Sequence, residues 1–269
     1  MFFSLFGVLR YYGRSVERFF FCCLFSVLFD FRQFFSEEYG KRKKPERSPD
    51  GRTAMNTEQN KVRKTGIIGG TFDPPHNAHL AIAEAARIQY GLDRVLMMPS
   101  GHSYFKDHQK RQVTPAPIRL KMTELACLEY PYITASDLEV KREGNTYTCE
   151  TLQQLAALYP DDALYFIVGA DTIAAMDTWY RPQQVFDNAV ILAAVREDQV
   201  DPDLLRKDIR MLEEKYGARI GLISIPTMDI SSTAIKDRIE RGESIEGMLP
   251  EAVRAYICDP ATSPYLISR

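Results

Sequence analysis

The chain has 269 residues, enough for one large or two modest domains whose core needs no covalent staples. Apolar residues at 45% and charged residues at 26% exclude a disordered or collagen-like chain. A net charge of −2 gives no footing for bulk nucleic-acid binding, and five cysteines without a C-x-x-C exclude a disulfide framework and fit a reducing, cytoplasmic setting.

Composition shifts sharply along the chain. Residues 1–35 hold 11 of the 15 phenylalanines, and residues 1–64 carry +6 against −8 for the remainder. The densest apolar run, Phe19 to Phe29, would span only ~16 Å as a helix, about half a bilayer core. Arg10, Arg14 and Arg18 precede it as in a signal peptide, but no small-x-small cleavage site follows. Lys41 to Gly51 (KRKKPERSPDG) then reads as a charged linker. A membrane-surface anchor, a targeting segment, a partner-binding helix and sequence irrelevant to the fold all remain open, the last being preferred. We expect residues 1–61 to be a non-globular extension without stable membrane association, and residues 62–269 to form the domain. Met55 opens a polar lead-in to the first strand, so the functional chain is expected to start near it. Peptides from residues 1–40 of the native protein would refute that expectation.

From residue 65 strands and helices alternate. Thr65 to Phe72 reads as a strand ending in Gly-Gly. Asn77 to Tyr90 spaces Leu80, Ala83, Ala86 and Tyr90 as an amphipathic helix closed by Gly91. Strands are expected at Arg94–Pro99, Tyr132–Val140, Leu164–Val168, Ala189–Val195 and Arg219–Ile225. Helices are expected at Pro117–Glu129, Thr148–Tyr159, Asp203–Tyr216, Ser231–Arg241 and Pro250–Cys258. Strands apolar throughout, each followed by a helix, specify an α/β fold with a Rossmann-like doubly wound parallel sheet. Such sheets bind ligands at the carboxyl ends of their strands, near the switch point.

The chemistry gathers on Gly66-Ile-Ile-Gly-Gly-Thr-Phe-Asp-Pro-Pro-His-Asn-Ala-His-Leu80. Gly69 and Gly70 let the backbone approach a ligand closely. Pro74 and Pro75 keep the chain extended until about His76. His76 and His79, three apart, share a face at the first helical turn, where free N–H groups make a polyphosphate site. The sequence has neither G-x-G-x-x-G nor a Walker loop. His-x-x-His without a zincin glutamate or a third ligand gives zinc little support. Ser231, Ser232 and Thr233 open a late helix and suit either plain N-capping or phosphate binding. Lys236 one turn in, and Lys106 on a long loop, are candidate phosphate cations. Asp171 at the end of Leu164–Val168 is placed for a ribose hydroxyl or a helix cap.

GGTFDPPHNAHL resembles the (H/T)-x-G-H signature of the nucleotidyltransferase superfamily, in the form of bacterial nicotinate-nucleotide adenylyltransferases. Ile230-Ser-Ser-Thr-Ala-Ile-Lys236 resembles that family's I-S-S-T-x-I-R, and the likeness covers residues 65–269. Three departures stand out: Ala78 for Gly, Lys236 for Arg, and Gly101-His-Ser-Tyr-Phe-Lys106 for P-P-H-K. The resemblance implies a nucleotidyltransferase fold and transfer of the adenylyl group of ATP, with Mg²⁺, to nicotinate mononucleotide. It implies that His76 and His79 are catalytic donors, which nearby phosphates hold protonated. It further implies that Gly69, Gly70, Thr71, Phe72, Lys106, Ser231, Ser232, Thr233 and Lys236 hold ATP. Tyr147, Thr148, Asp171, Trp179 and Tyr180 would hold the nicotinate nucleotide, Thr178-Trp179-Tyr180 matching the family's T-W-Y. No nucleic-acid partner is expected, and a homo-oligomer is left open. A different small-molecule nucleotidyltransferase, or a non-catalytic nucleotide sensor tethered by the N-terminal segment, are the alternatives.

Overall fold

The computed structural model describes residues 62–101, 113–195, 201–225 and 227–265. The Phe-rich segment, the linker and Lys106 lie outside them. Strands β1 (Arg63–Gly70), β2 (Arg94–Pro99), β3 (Ile133–Ala135), β4 (Asp162–Gly169), β5 (Val190–Val195) and β6 (Ile220–Ser224) form one sheet. Its order is β3-β2-β1-β4-β5-β6, and every neighbouring pair is parallel. The chain winds outward from β1 in one direction, then returns to place β4 on β1's other side. The β1–β4 boundary is therefore the switch point, where connections leave to opposite sides and open a crevice.

Eight helices accompany the strands among the described residues: α1 (Asn77–Tyr90), α2 (Ala116–Cys127), α3 (Thr148–Leu158), α4 (Ala170–Ile173), α5 (Pro182–Asn188), α6 (Pro202–Tyr216), α7 (Ser232–Arg241) and α8 (Glu251–Cys258). Alternation along the strands divides the core between two faces. Ile67, Leu96, Met98, Phe166 and Ile191 pack with Leu152 and Leu155 of α3, Val185 and Phe186 of α5, and Leu205 and Leu212 of α6. Ile68, Met97 and Leu192 point the other way and are equally buried; Cys127 of α2 touches Met97 there. No described helix is long and apolar enough to cross a membrane.

Local sequence explains the element that positions the site. His76 is the extended N-cap of α1, following Pro74 and Pro75, and Leu80, Ala83 and Ala86 form its buried stripe. Gly91 closes the helix in the left-handed region at φ 61°.

Three expectations need correction. The strand expected over Tyr132–Val140 is only Ile133–Ala135, because after Ala135 the chain turns and sends Glu139 inward to Thr151. Between β4 and β5, α4, a 3₁₀ turn at Met176–Thr178 and α5 were not anticipated, being too short to show a period. Only Pro182 at the start of α5 announces it. Gly169, not Asp171, is the N-cap of α4.

Candidate active site at the switch point

A cleft of about 340 Å³ opens where β1 and β4 diverge. Gly69, Gly70 and Thr71 form one wall, and Phe166 to Gly169 form its floor. Tyr147 and Thr148, at the N-terminus of α3, face Trp179 and Tyr180 across it. The Trp179 ring stands edge-on to Phe166 at 6.2 Å, while Tyr147 and Tyr180 approach to 4.5 Å between ring centroids. Tyr180 is exposed, so aromatic surface is presented to the opening. Arg181, at φ 49°, holds the left-handed turn that separates this segment from α5. Asp171 is not in the lining: its carboxylate folds back over Gly169, where an added Cβ would collide with Oδ1. The lining takes Gly169 and Thr172 instead.

The histidine turn lies beside this cleft. His76 and His79 stack with centroids 3.7 Å apart and 22° between planes. The backbone N–H of His76 donates to Nδ1 of His79 at 3.2 Å. With Nδ1 accepting, the ring proton of His79 sits on Nε2. Phe72 has its side chain buried in the protein, where it meets His79 edge-to-face at 4.9 Å, so the ring supports the histidine. Its backbone sits at φ 50°, and its ring folds against Gly70, where a Cβ would stand 3.0 Å from it. Ala78 is buried, at 5% exposure.

The late helix reaches the same place from far along the chain. Ser231 caps α7 by accepting from the Ala234 N–H. Ser232 Oγ donates to the Pro74 carbonyl at 2.9 Å, stitching the α7 tip to the histidine turn. Thr233 is exposed beside it. Lys236 is not a solvated lysine: its Nζ lies 2.9 Å from Asp73 Oδ2, with 16% and 4% of the two side chains exposed.

Residues 67–238 match the family described as Cytidylyltransferase-like. A probable nicotinate-nucleotide adenylyltransferase of Lachnoclostridium phytofermentans is 43% identical over 196 residues, 73% of this chain and 96% of that one. The chain belongs to the nicotinate-nucleotide adenylyltransferase family. A further probable member, from Dehalococcoides mccartyi, is 38% identical over 195 residues, covering 72% of this chain and 94% of its own. The solved Plasmodium falciparum nicotinic acid mononucleotide adenylyltransferase complexed with NaAD superposes with a TM-score of 0.60 at 18% identity, over 76% of this chain and 98% of that one. That likeness shows the fold.

Four groups central to this adenylyltransferase-family site were missed from the sequence. Asp73 is 3% exposed, and its carboxylate accepts from Lys236, the Thr114 N–H and the Tyr265 hydroxyl. Burial pushes its pKa up, but donation from Thr114, Tyr265 and Lys236 outweighs that and holds it below the ordinary aspartate value. Arg119, 2% exposed, donates to the carbonyls of Thr71, Ser100, Gly101 and Thr114, binding the loops after β1 and β2 together. Glu139 lines the cleft and accepts from Thr151 Oγ1 at 2.7 Å; burial raises its carboxyl above the ordinary glutamate value. Tyr265 comes from the C-terminal segment, 192 residues from Asp73. Asp73 alone carried a signal, as the one acid inside the glycine-proline turn.

Proposed function

We infer that the stitched histidine turn and α7 tip hold the triphosphate of ATP while the aromatic cleft holds nicotinate mononucleotide. The chain is a nucleotidyltransferase of the nicotinate-nucleotide adenylyltransferase family, and its reaction transfers the adenylyl group of ATP to the mononucleotide phosphate. One observation carries the assignment of residues. The Ser232–Pro74 and Lys236–Asp73 contacts bring two distant motifs together on the turn that continues from Gly69, Gly70 and Thr71 of the cleft wall.

The chemistry follows from the groups present. The attacking phosphate is ionised at neutral pH, so no general base is required. His79 Nε2–H donates to charge developing on the α-phosphate or leaving pyrophosphate, and in-line positioning supplies the rest. Gly69, Gly70 and Thr71 offer close backbone approach; Ser231, Thr233 and Lys236 offer hydroxyls, N–H groups and charge to the outer phosphates. Among the described residues no cluster of His, Cys, Asp and Glu forms a metal cage, and Asp73 is engaged by three donors. Mg²⁺ would enter as part of the MgATP substrate, held by phosphate oxygens and water, and would supply charge neutralisation there.

At α3, the N–H groups of Glu150 and Thr151 bond to the Tyr147 carbonyl, and the N–H of Thr148, first in the helix, is the one offered to a ligand. A nicotinate carboxylate accepts such bonds, whereas the NH₂ end of an amide faces them with a donor. The free thiols of Cys127, Cys149 and Cys258 suit a cytoplasmic setting.

A pyrophosphate-release assay with MgATP, offering nicotinate and nicotinamide mononucleotides side by side, tests this reading. Turnover with the acid should exceed that with the amide. No turnover with either refutes it.

A further inference from the structure

Asp73 sits directly behind the phosphate turn and joins four segments of chain. Its Oδ2 takes Lys236 Nζ at 2.9 Å and the Thr114 N–H at 3.2 Å; its Oδ1 takes the Tyr265 hydroxyl at 2.7 Å. Arg119 lies nearby, but among the described residues its guanidinium bonds to backbone carbonyls. Lys236 thus neutralises Asp73, yet the same ammonium is the cation one turn inside α7 that the triphosphate needs. A lysine presents its charge at a single point, so it must divide itself between carboxylate and phosphate. Leaving a buried carboxylate without donors is costly, so how readily Lys236 turns toward phosphate depends on what else holds Asp73.

We propose that Tyr265 is a positioning residue for ATP: by occupying Asp73 Oδ1 it keeps the carboxylate turned and satisfied, freeing Lys236 to engage the triphosphate. This rests on the assignment of the α7 tip to the phosphates. The phenol suits the task because it donates without competing for the anion. Burial, then the charge of Asp73, raises its pKa far above the ordinary tyrosine value, so it remains a donor at every working pH. Without that hydroxyl, the carboxylate can rotate to offer both oxygens to Lys236 and retain it.

The test is steady-state kinetics on the full chain with MgATP and nicotinate mononucleotide. Tyr265→Phe should raise the KM for ATP about tenfold, the size of one hydrogen bond to a charged group, with kcat and the mononucleotide KM within about twofold. In a Lys236→Arg background the effect should shrink to about twofold, because a guanidinium can hold Asp73 with one N–H and still present others. An unchanged ATP KM, a loss of kcat alone, failure of Tyr265→Phe to fold, or the same effect in both backgrounds overturns the proposal. If the wild-type chain shows no turnover, the functional reading fails instead.

Discussion

His76 gives its backbone N–H to Nδ1 of His79, so the second histidine completes the N-terminus of the helix that carries it. The residue is therefore both a cap and a donor, and the two roles separate by substitution. His79→Ala should lower kcat by at least about 10²-fold, the usual loss for one charge-stabilising donor. It should also cost about 1 kcal/mol, or roughly 3 °C in Tm, for the lost cap bond. His79→Gln restores the side chain that capping boxes use at this position. Its Tm should recover while kcat stays low. Parallel recovery of both would show that His79 matters only through the fold.

Trp179 divides its surface between core and cleft, packing edge-on against Phe166 while lining the opening with Tyr180. Trp179→Ala should therefore cost about 2 kcal/mol of stability and raise the mononucleotide KM. Trp179→Phe keeps most of the packing and should retain the Tm while still raising that KM several-fold. Kinetics with each substrate varied in turn checks this, since the ATP KM should move least.

The pH dependence of stability has a definite sign at Asp73. Its folded pKa lies below the 3.8 of an unperturbed aspartate, so the unfolded chain binds the proton more readily. The stability it contributes is complete above 3.8 and is lost as pH falls through the lower folded value. Asp73→Asn should accordingly be about 3 kcal/mol less stable than wild type at pH 7. The gap should narrow as the pH falls below 4, and thermal melts from pH 2.5 to 7 would record it. A constant gap would mean that Asp73 contributes shape and not charge.

What the sequence made legible has a physical boundary. The Leu80–Ala83–Ala86 stripe, Gly91 and the Pro-Pro turn act within a few residues of one another, so α1 could be read almost to its ends. The apolar strands likewise announced a parallel sheet. Motif resemblance, rather than periodicity, brought Trp179 and Tyr147 to one cleft. Tyr265 meets Asp73 and Glu139 meets Thr151 only after the chain has folded, and nothing local marks either. The packing of the Phe72 ring under His79 is likewise unmarked, since a glycine-rich motif says nothing of which side chain fills the space beneath it.

Arg119 shows how such an unmarked residue can govern the site. Among the described residues no carboxylate bonds to its buried guanidinium, and burial lowers its pKa despite the opposing charges of Asp73 and Glu139. The carbonyls it binds belong to Thr71 on the phosphate turn, to Ser100 and Gly101 after β2, and to Thr114 before α2. A guanidinium spreads its donors over three nitrogens and so spans well-separated carbonyls; an ammonium of equal charge has its three donors on one atom and reaches only acceptors that converge on it. Arg119→Lys should therefore fail to substitute, losing about 3 kcal/mol and roughly 10 °C in Tm as buried carbonyls go unpaired. Below its melting temperature the variant should bind ATP more weakly, since Thr71 and Ser100 line the cleft and their backbone would no longer be pinned. If Arg119→Lys matches wild type in both Tm and ATP KM, the residue serves through its charge alone and the fork geometry is incidental.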